Sequence, residues 1–366
     1  MNRTKTLQIG NLIAKIPVIQ GGMGVGISLS SLAGAVAKEG AIGIISTAQI
    51  GYREEDFDTN PLKANMRAIQ KEVKKAREIA KGGIIGVNIM VATKQYSEYV
   101  KEAVRAGVDL IISGAGLPME LPKIVQEEIQ KRKEEGWQLK RPNLVPIVSS
   151  KKAANLILKM WDKKAQVAPD AIVIEGPKAG GHLGFKPEEL EHMEEMDYDE
   201  EIKKIIEVIK PYEQKYQHEI PVIVAGGILN REQMEHYMDM GASGVQVATP
   251  FVTTKECDAD IRFKEAYINC KKEDIIIVKS PVGMPGRAIN NAFQKRIQEE
   301  GKIPVGRCHS CISTCKPKEI PYCITEGLIH AVKGDIEHAL VFCGANAYLA
   351  DKITTVKEVL SRYCEE

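Results

Sequence analysis

One histidine in this chain stands in a setting suited to chemistry. The run Ile172-Val173-Ile174-Glu175 is apolar until its last residue and reads as a buried strand. It breaks into Gly176-Pro177-Lys178-Ala179-Gly180-Gly181-His182-Leu183-Gly184, a loop with four glycines. Gly180 and Gly181 lack a Cβ and let backbone approach a ligand closely. His182 follows where a strand C-terminus opens, the end at which parallel α/β folds keep their catalytic groups. Imidazole is also the side chain most easily poised for proton transfer near neutral pH. Taken alone, the segment reads equally well as a flexible turn with a solvated histidine. The remaining histidines lie on charged helices or tails and read as surface residues.

A second constellation is Cys308-x2-Cys311-x3-Cys315-x7-Cys323, four thiols within sixteen residues. The spacing suits a [4Fe–4S] cluster or zinc, and Pro317 and Pro321 favour an irregular, ligand-holding loop. Free thiols in a reducing compartment are the other reading. Spacing alone does not choose between them, so no residue is assigned to a metal. The other four cysteines are scattered, which argues against a disulfide framework.

The elements that must position these groups are those of a large folded chain. With 366 residues and 44% hydrophobic composition there is material for a barrel-sized core and an appendage. Fifty basic and 49 acidic residues give a net charge of +1, which is no electrostatic footprint for nucleic acid or a membrane surface. No run approaches the ~20 apolar residues that span a bilayer. The first twelve residues lack the apolar core of a signal peptide, so a cytoplasmic location is expected.

A strand, loop and helix unit recurs along the chain. Ile16 to Gln20 breaks into Gly21-Gly22-Met23-Gly24-Val25-Gly26, and a helix follows with Ser28 as its expected N-cap. Gly22, Gly24 and Gly26 do not give the G-x-G-x-x-G spacing, which excludes a dinucleotide fingerprint. Further strands are expected at Ile42–Thr47, Ile84–Met90, Leu110–Ser113, Leu144–Val148, Ala171–Gly176, Pro221–Gly227 and Gly244–Thr249. Their unalternating apolar character fits parallel strands covered on both faces. Eight such units favour a closed α/β arrangement, the TIM (β/α)8 barrel, over an open doubly wound sheet. The expected division is a barrel over residues 1–270 and a C-terminal helical appendage over 271–366 that carries the cysteines. The acid-rich stretch Phe185–Asp199 reads as a solvated loop, with a lid over the barrel mouth as the alternative.

Closure would bring the strand ends to one mouth: Gly22 and Met23, Asn88, Gly114, Ser149, Glu175, Gly180 to His182, Gly226 and Gly227, and Gln246 to Thr249. Loops after the seventh and eighth strands commonly bind phosphate through backbone amides. Glycines there, with one polar amide at Asn88, point to a flat phosphorylated cofactor such as FMN.

These residues resemble the nitronate monooxygenase family (formerly 2-nitropropane dioxygenases), whose close relatives are the FMN-dependent enoyl-ACP reductases of the second type. The motifs are Ile16-Pro17-Val18-Ile19-Gln20-Gly21-Gly22-Met23, Gly86-Val87-Asn88, Glu175 to Gly184, Ala225-Gly226-Gly227-Ile228 and Gly241 to Phe251, within roughly residues 10 to 300. The resemblance implies a TIM barrel, FMN and a small-molecule substrate. It implies contacts of Gly22, Met23 and Asn88 near the flavin ring. Around ribityl and phosphate it implies Gly180 and Gly181, Gly227, Gln246, Val247, Ala248 and Thr249. Glu175 stands where the family often has glutamine, and Ala248 where glycine is usual. His182 matches the catalytic histidine, which would deprotonate a nitroalkane carbon or hold an anionic nitronate. Oxidation of alkyl nitronates with O2 is the leading expectation. NAD(P)H-dependent enoyl-ACP reduction and a non-catalytic flavin and thiol redox sensor are the alternatives. Ser280 to Asn291 resembles a segment found in both enzyme branches and does not arbitrate. A homodimer is left open.

Overall fold

Runs of valine and isoleucine without polar alternation must bury both faces, and a computed structural model describing residues 6–364 does this by closing a barrel. The chain begins with a hairpin, β1 (Leu7–Ile9) and β2 (Leu12–Ala14). The barrel then takes β3 (Val18–Gln20), β4 (Ile42–Ser46), β5 (Ile84–Met90), β6 (Leu110–Gly114), β7 (Asn143–Val148) and β8 (Ile172–Glu175). A two-residue strand, β9 (Gly181–His182), lies outside it. The barrel closes through β10 (Val222–Ala225) and β11 (Gly244–Val247), which pairs in parallel with β3. The eight parallel strands and surrounding helices make a TIM barrel.

Side chains alternate between two apolar layers. Ile19, Ile42, Ile44, Leu110, Ile112, Val145, Val173 and Ile223 fill the barrel together with Leu7, Ile9, Leu12 and Ala14 of the hairpin. The hairpin thus plugs the N-terminal end, and each fully buried Leu or Ile contributes about 1.5–3 kcal/mol. The other layer packs strands against helices; Val18, Ile45, Val87, Ile111, Leu144 and Ile174 belong to it.

Helix starts follow local capping chemistry. Asn60, Ser150 and Asn230 accept from the backbone N–H groups of Lys63, Ala153 and Gln233. Ser28 does not act as the cap expected of it. The first helix, Ser30–Lys38, has no side-chain cap from its preceding residue. The distant Asp258 carboxylate accepts from Leu29, Ser31 and Leu32 instead.

Beyond the barrel, the helical, cysteine-containing appendage also includes an antiparallel hairpin, β12 (Ile275–Lys279) and β13 (Pro285–Ile289). Its helices are Ala292–Glu300, Ile324–Val332 and Val356–Ser361. The stretch Phe185–Asp199 is more than a solvated loop: it holds a short helix, Pro187–Glu191, whose Leu190 is buried with Leu183 against Phe185 and Ile277. Among the described residues no helix is long and apolar enough to cross a membrane.

Candidate functional site

The loops at the C-terminal end of the barrel surround a cavity of about 230 Å3. Gly22 and Met23 after β3, Asn88 in β5 and Glu175 at the end of β8 all line it. So do Gly180, Gly181 and His182, then Gly227 after β10, and Gln246, Val247, Ala248 and Thr249 around the end of β11. Gly114 and Gly226 join them. Ser149 is not part of the lining; its carbonyl accepts the Tyr198 hydroxyl at 3.1 Å.

Two close approaches explain the glycines. A Cβ on Gly22 would fall 2.4 Å from Cβ of Asn88, so glycine is what lets the Asn88 side chain lie beneath that loop. A Cβ on Gly180 would fall 2.6 Å from the Cys343 carbonyl group, so the histidine loop rests directly on the backbone of the C-terminal segment. The loop after β3 is fastened by Ser28, whose Oγ accepts from Met23 N at 2.8 Å and donates to Met23 O at 3.3 Å. That is the work Ser28 does in place of capping.

His182 is positioned by residues far along the chain. Gly181 and His182 pair antiparallel with Arg287 and Gly286 of β13. Arg287 is buried, and its Nη1 donates to the carbonyls of Pro177, at 2.8 Å, and Ala179. Burial lowers the Arg287 pKa, and among the described residues it has no carboxylate partner. The guanidinium therefore acts as a clamp on the turn before His182. The imidazole itself is held by Nε2 to Ser280 Oγ at 2.8 Å and by the edge-on ring of Phe342, with centroids 5.0 Å apart. Ser280 Oγ also accepts from Val282 N at 3.3 Å, and its own proton points at Nε2 in the tautomer that carries the ring proton on Nδ1. Nδ1 makes no hydrogen bond to the described chain and is the nitrogen open to a ligand.

The charges of the site are set by burial. Desolvation lowers His182 to about 4, so its imidazole is neutral near pH 7. The same cause raises Glu175 to about 8, which makes it a neutral carboxylic acid able to donate a hydrogen bond. Gln246 Oε1 is buried without a partner. The backbone N–H groups of Gly226, Gly227 and Ala248 also donate to nothing within the described chain. A site with neutral acid–base groups, unpaired donors and one unpaired acceptor is equipped to receive a polar, anionic ligand.

Several lining or positioning residues lie outside the motifs that the sequence singles out. Phe342, Cys343, Gly344 and Asn346 form one wall, with Leu328 and Ala331 of the helix Ile324–Val332. Asn346 Nδ2 donates to Gly227 O at 3.0 Å, and Ala345 N to Lys178 O at 3.2 Å, which tie this wall to two barrel loops. Ser280 and Arg287 sit in the segment Ser280–Asn291, and its resemblance to related chains was the one signal available for them.

A family model described as nitronate monooxygenase matches residues 5–366. A probable nitronate monooxygenase of Staphylococcus aureus (strain Newman) is 26% identical over 379 residues, covering 98% of this chain and 99% of the relative. Among solved structures, FabK from Thermotoga maritima is similar with a TM-score of 0.66 and 23% identity, covering 96% of this chain and 92% of that one. A nitroalkane oxidase from Streptomyces ansochromogenes has a TM-score of 0.68 and 17% identity, covering 96% of each chain. The two structural likenesses speak to the fold.

Proposed function

Because the chain belongs to the nitronate monooxygenase family, a family of oxidoreductases, we propose that it uses FMN to oxidise alkyl nitronates with O2, giving a carbonyl compound and nitrite. The observation that carries this reading is the neutral imidazole of His182 with its free Nδ1. A histidine lowered to about 4 is a weak base toward the carbon of a neutral nitroalkane. With Ser280 donating to Nε2, Nδ1 carries the proton and donates to a nitronate oxygen. The substrate arrives already ionised, so no carbon acid needs to be deprotonated.

The unpaired donors and acceptor of the lining support FMN as the group it would hold. Gly22 and Met23 would lie against the flavin ring with Asn88 beside them. Glu175, neutral at pH 7, keeps the donor that a glutamine has at this place in many relatives. Gly180, Gly181, Gly227, Gln246, Val247, Ala248 and Thr249 would surround ribityl and phosphate. There the unpaired amides of Gly227 and Ala248 suit phosphate, and Gln246 Oε1 suits a ribityl hydroxyl. The Ala248 Cβ narrows this loop relative to a glycine. Bound in this way, FMN supplies electron acceptance and the reaction with dioxygen. The protein holds the nitronate at His182, orients the imidazole through Ser280, and keeps water from the ring with Phe342 and the C-terminal wall.

The test is anaerobic mixing of the purified yellow protein with propionate-3-nitronate or with NADH. Bleaching of the flavin by the nitronate, and none by NADH, is expected. Bleaching by NADH alone would overturn the proposal in favour of an enoyl reductase. No bleaching by either would overturn it in favour of a redox sensor.

A further inference from the structure

The cysteines left aside by this chemistry converge in the fold. Cys308, Cys311, Cys315 and Cys323 all line one cavity of about 190 Å3, separate from the barrel mouth. None is in a disulfide. Cys311 lies close enough to each of the other three to interact with it electrostatically. The loop that carries them is fixed to the barrel: Thr93 bridges to Ile312, Lys94 N donates to Cys311 O at 3.0 Å, and Ser313 N donates to Ala92 O at 3.0 Å.

We propose that these four thiols ligate a [4Fe–4S] cluster in this cavity. Three observations favour a cluster over a single ion or idle thiols. The first is the C-x2-C-x3-C spacing with a fourth cysteine close by, which supplies the four thiolates such a cluster needs. The second concerns size. A structural zinc would draw four sulfurs to about 2.3 Å from one point. Among the described residues no three Cys, His, Asp or Glu side chains stand ready to hold one ion. What the four cysteines share is the lining of a cavity of about 190 Å3, more room than one ion fills, and their thiols would have to turn into it on ligation. The third is His309, which the sequence assigned to the surface and the structure buries at 8% exposure. It lines the same cavity, stacks on Phe57 with centroids 5.0 Å apart, and leaves Nδ1 buried with no partner. A cluster sulfide is an acceptor that would satisfy it. Lys94, also in the lining, adds a positive charge beside an anionic core. On ligation each thiol loses its proton and its sulfur forms one bond to iron.

The position is informative. Met90, at the end of β5, lines the barrel-mouth cavity, and Lys94 just beyond lines the cysteine cavity. Cys323 immediately precedes the helix whose Leu328 and Ala331 line the barrel-mouth cavity. At about 1.5 Å rise per residue, Cys323 and Leu328 are ~8 Å apart along that axis. The cluster would therefore sit one helix segment from the barrel mouth. This inference is independent of which substrate the mouth takes.

Full-length protein, purified under argon and reconstituted with iron, sulfide and dithiothreitol, should hold about four irons and about four acid-labile sulfides per chain. Reduction with dithionite should give an electron paramagnetic resonance signal distinct from any flavin radical. Cys308 is exposed, so Cys308→Ser should fold normally by circular dichroism yet lose iron several-fold, while Cys364→Ser should keep it. Stoichiometric zinc in place of iron, or iron retained by Cys308→Ser, would overturn the proposal. So would a folded protein that takes up no iron while all four thiols react with a thiol reagent.

Discussion

His182 Nε2 lies 2.8 Å from Ser280 Oγ, a contact made across 98 residues of chain. It divides labour between the two imidazole nitrogens, one tethered and one left for the ligand. His182→Asn should therefore retain flavin and lower turnover with nitronate by about 100-fold or more, the range for loss of a positioned acid–base group. Ser280→Ala should give a smaller loss, about tenfold, with flavin binding unchanged, because the ring stays but is no longer held in one tautomer. Steady-state kinetics alongside flavin titration checks both. An unchanged rate in His182→Asn would remove it from the mechanism.

The opposed shifts of Glu175 and His182 shape the pH dependence of the flavin-free protein. Glu175 is raised from 4.5 to about 8, so its contribution is full below 4.5 and is lost as pH rises through 8. His182 is lowered from 6.5 to about 4, so its contribution is full above 6.5 and is lost as pH falls through 4. Between 4.5 and 6.5 the two slopes cancel. Stability from this pair falls above 6.5 and again below 4.5. Glu175→Gln removes the alkaline fall, so its thermal midpoint should peak above pH 6.5 and exceed that of the parent at pH 8.5. The gain there should be on the order of 1–3 kcal/mol. A midpoint profile that keeps the parent's alkaline drop would contradict this.

How much of this was legible beforehand differs between barrel and appendage. The strands could be read because parallel strands buried on both sides leave an unbroken apolar signature, as in Ile172–Ile174. Once closure is assumed, the residues at strand ends fall at one mouth, and every position implied by the family resemblance lines the cavity, whereas Ser149, expected there with them, does not. Ser280, Arg287 and Phe342 could not be read this way. They reach His182 by pairing between β9 and β13, and a two-residue strand has no periodicity to detect. His309 failed for a similar reason: its neighbours are mostly cysteine, serine and glycine with no apolar period, and its burial comes from Phe57, far away in the chain.

Arg287 offers a test of that long-range pairing. Arg287→Met keeps much of the apolar stem but leaves the carbonyls of Pro177 and Ala179 without a donor. A cost of about 2–4 kcal/mol is expected from the unpaired buried acceptors and the lost charge-assisted bonds. Flavin affinity should fall as the loop before His182 loosens. Denaturant unfolding and flavin titration read the two effects, and a stability within about 0.5 kcal/mol of the parent, the scatter of surface substitutions, would argue against the clamp.

Gly180→Ala probes the seam between barrel and appendage. The added methyl meets the Cys343 carbonyl group at 2.6 Å, where only backbone can give way. Overpacking of this kind costs about 1–3 kcal/mol. The wall at Phe342–Asn346 should be displaced, and flavin affinity should fall by at least about tenfold, equivalent to ~1.4 kcal/mol. Gly82→Ala is the control for a general loss of stability. Its φ of +94° strains any side chain, yet an added Cβ there meets nothing within 4 Å, so flavin affinity should stay unchanged.

The wall built by residues 342–346 has a consequence for biogenesis. The barrel strands β3 to β8, β10 and β11 all precede this wall in the chain, and Asn346 can hold Gly227 only once residues 342–346 have been synthesised. If the proposed FMN needs this wall, its binding would wait for residues 342–346, and a nascent chain stalled before them would hold no flavin.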